Sequence, residues 1–353
     1  MTNWFPVACW AAWLLVSAAA ASVATEWLIG WTSARGVFDR PNDRSSHTRV
    51  TPRGGGIAIV AVSAWAMIIA AALWPAWRLP LVALLAPSLA IAAVSWLDDL
   101  KPLRNRVRFG VHLAAAAAAT AVLGPIQGVD VGGHGTVSFG VAGWPLTLLW
   151  IVGMTNAFNF MDGIDGIAGI TAAVAGCAIA AAAGGLGCDP VAAVGLAFAG
   201  AAIGFLTCNW PPARIFMGDV GSAFCGFMIA VLPMIAGELA PRMVMITAVA
   251  MWPFIFDASF TLCRRAARRE NIFKAHRSHL YQRLVIAGWS HRAVSSLYGG
   301  LAAMAAAVAV SPLYELGGKR IATIITGATL TVGIALLLTL VHLAERHRPG
   351  FSP

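Results

Sequence analysis

Gly55-Gly-Ile-Ala-Ile-Val-Ala-Val-Ser-Ala-Trp-Ala-Met-Ile-Ile-Ala-Ala-Ala-Leu-Trp-Pro-Ala76 contains no charged side chain and a single hydroxyl, Ser63. A bilayer core needs about 20 such residues wound as a helix, so the stretch predicts a membrane span. Runs of the same kind recur near 4–25, 79–97, 109–127, 141–160, 166–185, 190–208, 220–237, 243–262, 293–312 and 321–343. The expectation is an all-α polytopic membrane protein of about eleven helices, forming one integral-membrane domain over 1–353. Composition agrees, with 59% hydrophobic and 11% charged residues against about 25% charged in soluble domains. A soluble fold could not cover its surface with so few charges. Disordered, collagen-like and disulfide-scaffold classes fail on the same grounds. The first run is not read as a cleaved leader, because no Lys or Arg precedes Arg35. The six cysteines form no C-x-x-C pair and read as small residues within apolar runs.

Basic residues orient the chain. Only Arg78, Arg242, Lys319 and Arg320 fall in even-to-odd connections; the other Lys and Arg sit in odd-to-even connections or at the C-terminus. The positive-inside rule then predicts a periplasmic N-terminus, a cytoplasmic C-terminus and cytoplasmic loops near 33–54, 98–108, 160–166, 209–219 and 263–292. The net charge of +9 is explained by this topology and by anionic headgroups, with no nucleic-acid partner.

Those loops hold the polar residues. Arg44-Ser-Ser-His47-Thr-Arg49-Val-Thr-Pro-Arg53 follows the first run, and Asp98-Asp99-Leu100-Lys101 closes the third. Asn156-Ala-Phe-Asn159-Phe-Met-Asp162-Gly-Ile-Asp165-Gly166 ends the fifth, and Asn209 to Asp219 follows the seventh. His276-Arg277-Ser278-His279 lies after the ninth. Asp98, Asp99, Asp162, Asp165 and Asp219 thus gather at one membrane face, although acids were not used to assign the topology. Converging carboxylates repel one another unless a cation sits among them, and oxygen ligands suit Mg²⁺. Asn156, Asn159, Asp162 and Asp165 recur every three residues, which predicts adjoining turns of one helix flank. Arg49, Arg53, Lys101, His276, Arg277 and His279 supply donors for phosphate. Metal-held carboxylates beside Arg and His equip a site for phosphoryl transfer.

Each signal has a plainer reading. Asp98-Asp99 can mark a solvated helix end, and the asparagines can be interhelical glue. Gly54-Gly55-Gly56 reads as close helix packing, since no G-K-[ST] follows. His112 and His342 read as structural. Asp257 is the main mid-span acid, with Arg264 and Arg265 as nearby partners. An ion pathway is the rival class that mid-span acids suggest, but the acids here collect at one end.

Asp98-Asp99, Asn156 to Gly166, Phe216-Met-Gly-Asp219-Val-Gly-Ser222 and His276 to His279 resemble the motifs of the bacterial polyprenyl-phosphate N-acetylhexosamine-1-phosphate transferases, glycosyltransferase family 4. That superfamily holds the O-antigen and teichoic-acid initiating enzymes and the phospho-N-acetylmuramoyl-pentapeptide transferase that makes lipid I. The resemblance implies attack of undecaprenyl phosphate on the β-phosphorus of a UDP-N-acetylaminosugar. The products are a polyprenyl-diphospho-sugar and UMP, with Mg²⁺ (or Mn²⁺) as cofactor. It implies Asp98 and Asp99 at the acceptor phosphate, with Asp98 a candidate base. Asp219, with Asp162 or Asp165, acts at the metal and diphosphate, and Asp99 completes the candidate metal ligands. Asn209 and Phe216 lie near uracil, His279 and Arg277 near the donor's sugar and phosphates, and His47 and Arg49 in the basic first-loop element. Direct attack and an aspartyl-phosphate route both stay open. Two departures steer away from the muramoyl-pentapeptide donor toward smaller UDP-sugars: His276-Arg-Ser-His279 replaces a triple histidine, and Lys101 stands two residues after Asp99, not three. The implied home is the bacterial cytoplasmic membrane with the site facing the cytoplasm, and a homodimer is compatible.

Overall fold

The computed structural model describes residues 7–41, 49–130, 135–271, 276–314 and 319–346, and at 319 and 320 the backbone alone. The helices in chain order are α1 (Val7–Ala34), α2 (Gly56–Leu73), α3 (Arg78–Leu100), α4 (Asn105–Leu123), α5 (Gly143–Met161), α6 (Ile167–Gly185) and α7 (Asp189–Asn209). They continue as α8 (Asp219–Val231), α9 (Ala240–Ala250), α10 (Trp252–Ala267), α11 (Leu280–Ile286), α12 (His291–Val310) and α13 (Lys319–Arg346). Two short antiparallel strand pairs, β1–β2 (Phe38–Asp39, Thr51–Pro52) and β3–β4 (Gly128–Asp130, Thr136–Ser138), and short 3-10 turns at Pro75–Trp77, Gly140–Ala142, Leu232–Leu239 and Ser311–Tyr314 complete the described elements.

Burial grades outward from the centre. The apolar windows of α6, α7 and the stretch begun by α8 are 72%, 78% and 94% buried, whereas those of α1 and α13 are 11% and 17% buried. The central helices are built from Ala and Gly, which let backbones approach closely where lipid gives no hydrophobic drive between helices. The outer helices expose Leu15, Val23, Trp27, Ile324 and Val332, a face suited to acyl chains.

Among the described residues ten stretches are long and apolar enough to cross a membrane, against the eleven predicted, and the difference lies within 219–267. Asp219–Ala250 qualifies as one stretch, yet Gly237 (φ 59°, ψ −117°) turns the chain inside it. The segment from Asp219 to Ala240 runs from one end of the bundle to the other. Asp219 bonds to Asp99 at the end of α3, while Ala240 and Pro241 share a cleft with Leu123 and Gln127 at the far end of α4. The expected single span over 243–262 is two helices, because the chain breaks at Met251 (φ −88°, ψ 4°) and Pro253 brings no N–H to continue the ladder. α10 is consequently only 16 residues long.

Candidate active site

Backbone hydrogen bonds lace the segment before α2 to the segment before α8. Gly54 and Gly55 N–H donate to the Phe216 carbonyl at 3.1 and 2.9 Å, Gly56 N–H donates to Met217, and Phe216 N–H donates to Pro52. The glycine run is therefore a docking strip, in line with the packing reading. This lacing sets Arg53 at the mouth of α8. Gly218 precedes α8 with φ 78°, and a Cβ there would stand 2.6 Å from Asp99 Oδ2, so only glycine fits.

The close approach has a purpose. Asp99 Oδ1 accepts from the Asp219 N–H at 2.9 Å and Oδ2 from the Val220 N–H at 3.0 Å, so Asp99 caps α8 from another helix. A carboxylate at the C-terminal end of α3 opposes that helix's own dipole; the N-terminal end of α8 offsets it. Arg53 Nη2 lies 2.8 Å from both Asp99 and Asp219. Arg108 Nη1 lies 2.6 Å from Asp98 and 3.3 Å from Asp219, and its Nη2 donates to Asn159 at 3.2 Å. Asn159 in turn donates to Ser222 on α8 at 2.8 Å. The second oxygen of Asp98 accepts from the Leu103 N–H at 2.6 Å. Asp98, Asp99 and Asp219, from helices separated in sequence, do converge.

Arg108 and Ser222 were missed as site residues. Placing the fourth span at 109–127 left Arg108 in a loop, whereas α4 starts at Asn105 and carries it on the first turn. A cation followed four residues later by His112 on one helix face was the available signal.

Asp162 and Asp165 depart from the expected helix flank. α5 stops at Met161, and Asp162 (φ −85°, ψ 60°) opens a loop in which Gly166 takes φ 81°. Among the described residues none donates a hydrogen bond to the Asp162 carboxyl, which is pushed up to about 7, by burial first and next by the Asp219 charge, with Arg53 pulling the other way. Asp165 turns aside: Oδ2 accepts from Ala213 N–H at 3.1 Å and Oδ1 lies 3.4 Å from His291. It braces loops. Asn209 ties loops together as well, accepting from Gly166 N–H and donating to the Ile215 carbonyl, both at 2.9 Å, which leaves one N–H of its amide for a ligand. Phe216 stands partly buried beside it in sequence space, on the strip that docks Arg53.

The last loop is tied down by Asp257, which is fully buried. Its carboxylate meets His279 Nδ1 at 3.2 Å, accepts from Leu280 and Tyr281 N–H at 2.8 and 3.0 Å, from Tyr298 Oη at 2.7 Å and from Thr261 at 3.2 Å. The expected partners Arg264 and Arg265 go elsewhere, to Ser278 and to Glu270 and Asn271. Tyr281 Oη donates to the Phe160 carbonyl at 3.2 Å, over Gly163, where a Cβ would meet that oxygen at 2.1 Å. His279 is thereby fixed beside the Asp162 loop. His276 packs 5.0 Å from His279, ring to ring. Its imidazole is pushed down to about 4, by burial and then by His279, and is neutral at pH 7. Arg277 is partly buried in the same loop. Arg49 and Lys101 are exposed at the rim and outside the carboxylate cluster, and His47 lies outside the described residues. Asn156 faces α4 and donates to Val152 at 2.7 Å.

Whether these residues suit a divalent cation can be tested on charge. Asp98, Asp99, Asp162 and Asp219 face Arg53 and Arg108, so with all four carboxyls ionised two negative charges are uncompensated. Among the described residues no three acids or histidines already stand in metal-holding geometry, and Asp99 and Asp165 are spent on backbone. Asp162 and Asp219 remain as hard oxygen donors, a set that fits Mg²⁺.

A carboxylate and guanidinium cluster at the edge of a membrane bundle defines a membrane-embedded site for handling phosphates. The chain belongs to glycosyl transferase family 4, whose pattern matches residues 81–237. It is 31% identical to the probable undecaprenyl-phosphate N-acetylglucosaminyl 1-phosphate transferase of Bacillus subtilis (strain 168), over 73% of this chain and 72% of that protein. It is 29% identical to the decaprenyl-phosphate N-acetylglucosaminephosphotransferase of Mycobacterium tuberculosis (strain ATCC 25618 / H37Rv), over 88% and 84%. It is 30% identical to a phospho-N-acetylmuramoyl-pentapeptide-transferase of Synechococcus (strain JA-2-3B'a(2-13)), over 70% and 75%.

Proposed function

We propose that the protein transfers an N-acetylaminosugar 1-phosphate from a UDP-sugar to undecaprenyl phosphate, releasing UMP and starting O-antigen or another cell-envelope polysaccharide. The observation that carries this is the convergence of Asp98, Asp99 and Asp219 with Arg53 and Arg108 at one edge of the bundle. The basic loops support a cytoplasmic-facing site in a bacterial inner membrane. The ion-pathway rival loses its main support, because Asp257 is fully engaged by structural donors.

The chemistry asks little of a base. A phosphate monoester with a second pKa of about 6 is mostly dianion at pH 7. Its oxygen forms a bond to the donor's β-phosphorus while the bridging oxygen leaves with UMP. Repulsion between anions is the main obstacle. Arg53 and Arg108, each held by two carboxylates, are preplaced to turn toward entering phosphates, and Asn159 keeps Arg108 on line. Both oxygens of Asp98 are engaged, by Leu103 N–H and Arg108, which makes it a poor nucleophile and favours direct attack. Asp162 and Asp219 would hold Mg²⁺ (or Mn²⁺), which supplies Lewis-acid neutralisation of the diphosphate.

Membranes bearing the protein are expected to release UMP from one or more UDP-N-acetylaminosugars when given undecaprenyl phosphate and Mg²⁺, and EDTA should stop this. Silence across a panel that includes the muramoyl-pentapeptide donor, with folded protein and lipid present, would refute the reading. The raised Asp162 carboxyl adds a pH signature. Below about 7 it carries a proton that a cation must displace. Mg²⁺ affinity, measured by calorimetry, should therefore climb between pH 6 and 8 with proton release, and Asp162→Asn should flatten that climb.

A further inference from the structure

Arg108 is gripped by carboxylates on one side of its fork and by an amide on the other. Nη1 lies 2.6 Å from Asp98 and 3.3 Å from Asp219, whereas Nη2 donates to Asn159 Oδ1 at 3.2 Å. Two carboxylates on Nη1 would leave the guanidinium free to rock about that atom. A contact on Nη2 fixes the plane of the fork. An entering phosphate draws Nη1 away from the acids, and Nη2 is then the pivot. The acceptor at that pivot is neutral, so it holds the cation without competing with phosphate for its charge.

A pivot must itself be anchored, and the anchor is Ser222. Asn159 Nδ2 donates to Ser222 Oγ at 2.8 Å, and the Ser222 hydroxyl donates to the Gly218 carbonyl at 3.1 Å. A serine bonded back to the carbonyl four residues earlier is ordinary in a helix. Here, however, it spends the hydroxyl proton on the backbone, which leaves Oγ an acceptor toward the amide. Asn159 accordingly presents its oxygen to Arg108, which can only donate, and both ends of the chain demand the same amide orientation. The far end is stationary. The Gly218 carbonyl also receives the Ser222 N–H at 3.1 Å, and Ser222 is 1% exposed on the first turn of α8, within a stretch 94% buried. A side chain so enclosed acts on the reaction only through its partners.

We propose that Ser222 is a positioning residue for the transfer step: it anchors the Asn159 amide to α8, so that Arg108 turns toward the phosphates about a fixed Nη2. The inference rests on the phosphotransferase reading and deepens it, since it names the residue that steadies one of the two arginines.

The test is a kinetic cycle on the full-length protein in lipid. Ser222→Ala removes the hydroxyl with little change of volume. Asn159 then keeps only its bond to the moving guanidinium, and swings with it instead of holding it. The variant should lose about tenfold in kcat, with the KM for the UDP-sugar within about twofold. In an Asn159→Ala background the same change should alter kcat by less than about twofold, because the link between hydroxyl and guanidinium is already gone. A merely structural role predicts a lower melting temperature with unchanged kcat per folded molecule. A route through the Gly218 carbonyl alone predicts effects that multiply with Asn159→Ala. Either pattern would overturn the proposal. If Asn159→Ala is too slow to read, kcat per folded Ser222→Ala molecule decides alone. If Ser222→Ala does not fold, Ser222→Cys decides: sulfur accepts weakly, so kcat should fall there too, and unmodified turnover counts against. An unmodified chain inactive on every donor defeats the phosphotransferase reading itself, whereas an active one with unaffected variants defeats this inference alone.

Discussion

Asp219→Asn is expected to lose about 10³-fold or more in turnover while still inserting and folding. The substitution keeps the shape and leaves the backbone N–H of residue 219 free to donate to Asp99, so the cap on α8 survives. What disappears is the one charge that both Arg53 and Arg108 contact, along with one of the two carboxylates available to a cation. Removing a single preorganised electrostatic group typically costs about 10²–10³-fold, and here two arginines and the metal lose their shared anchor together. UMP release per folded molecule, with the melting temperature in detergent as the folding control, measures it. Turnover within about tenfold of the unmodified chain would remove Asp219 from the reacting centre.

Asp257→Ala should be the most destabilising single change outside the cluster. It strips the acceptor from two backbone N–H groups, two hydroxyls and the His279 ring, all buried. Breaking a buried, multiply bonded carboxylate costs about 3–5 kcal/mol. The melting temperature should fall by several degrees, and α11 should lose its register over the Asp162 loop, lowering activity in protein that does fold. Asp257→Asn should fall between, since its amide keeps one acceptor oxygen but turns an N–H toward donors. An Asp257→Ala protein that melts like the original would show that the loop is held by other contacts.

The fold was largely legible because a membrane span needs only length and apolarity, and both are local properties of the chain. The break at Met251 was not, because 243–262 is long and apolar enough for one span apart from Asp257, and a proline at 253 is compatible with a continuing membrane helix. In the site, convergence of Asp98, Asp99 and Asp219 followed from alternation of loops. Division of labour among the acids did not follow, since it depends on which backbone each one meets. Asp99 and Asp165 look like ligands in sequence and serve as braces because N–H groups of residues 219, 220 and 213 arrive from distant segments. Asp257 drew the nearby Arg264 and Arg265 as expected partners because its donors, Thr261 apart, lie 22 to 41 residues away.

The cluster around Asp219 is sewn in by main-chain bonds from several segments, whereas the loop bearing His276 and His279 hangs largely on one side chain, Asp257. Sequence drift can therefore rewrite that strap without unpicking the seam beneath it. One end of the bundle thus combines a rigid charged floor with an outer loop that a single substitution can loosen.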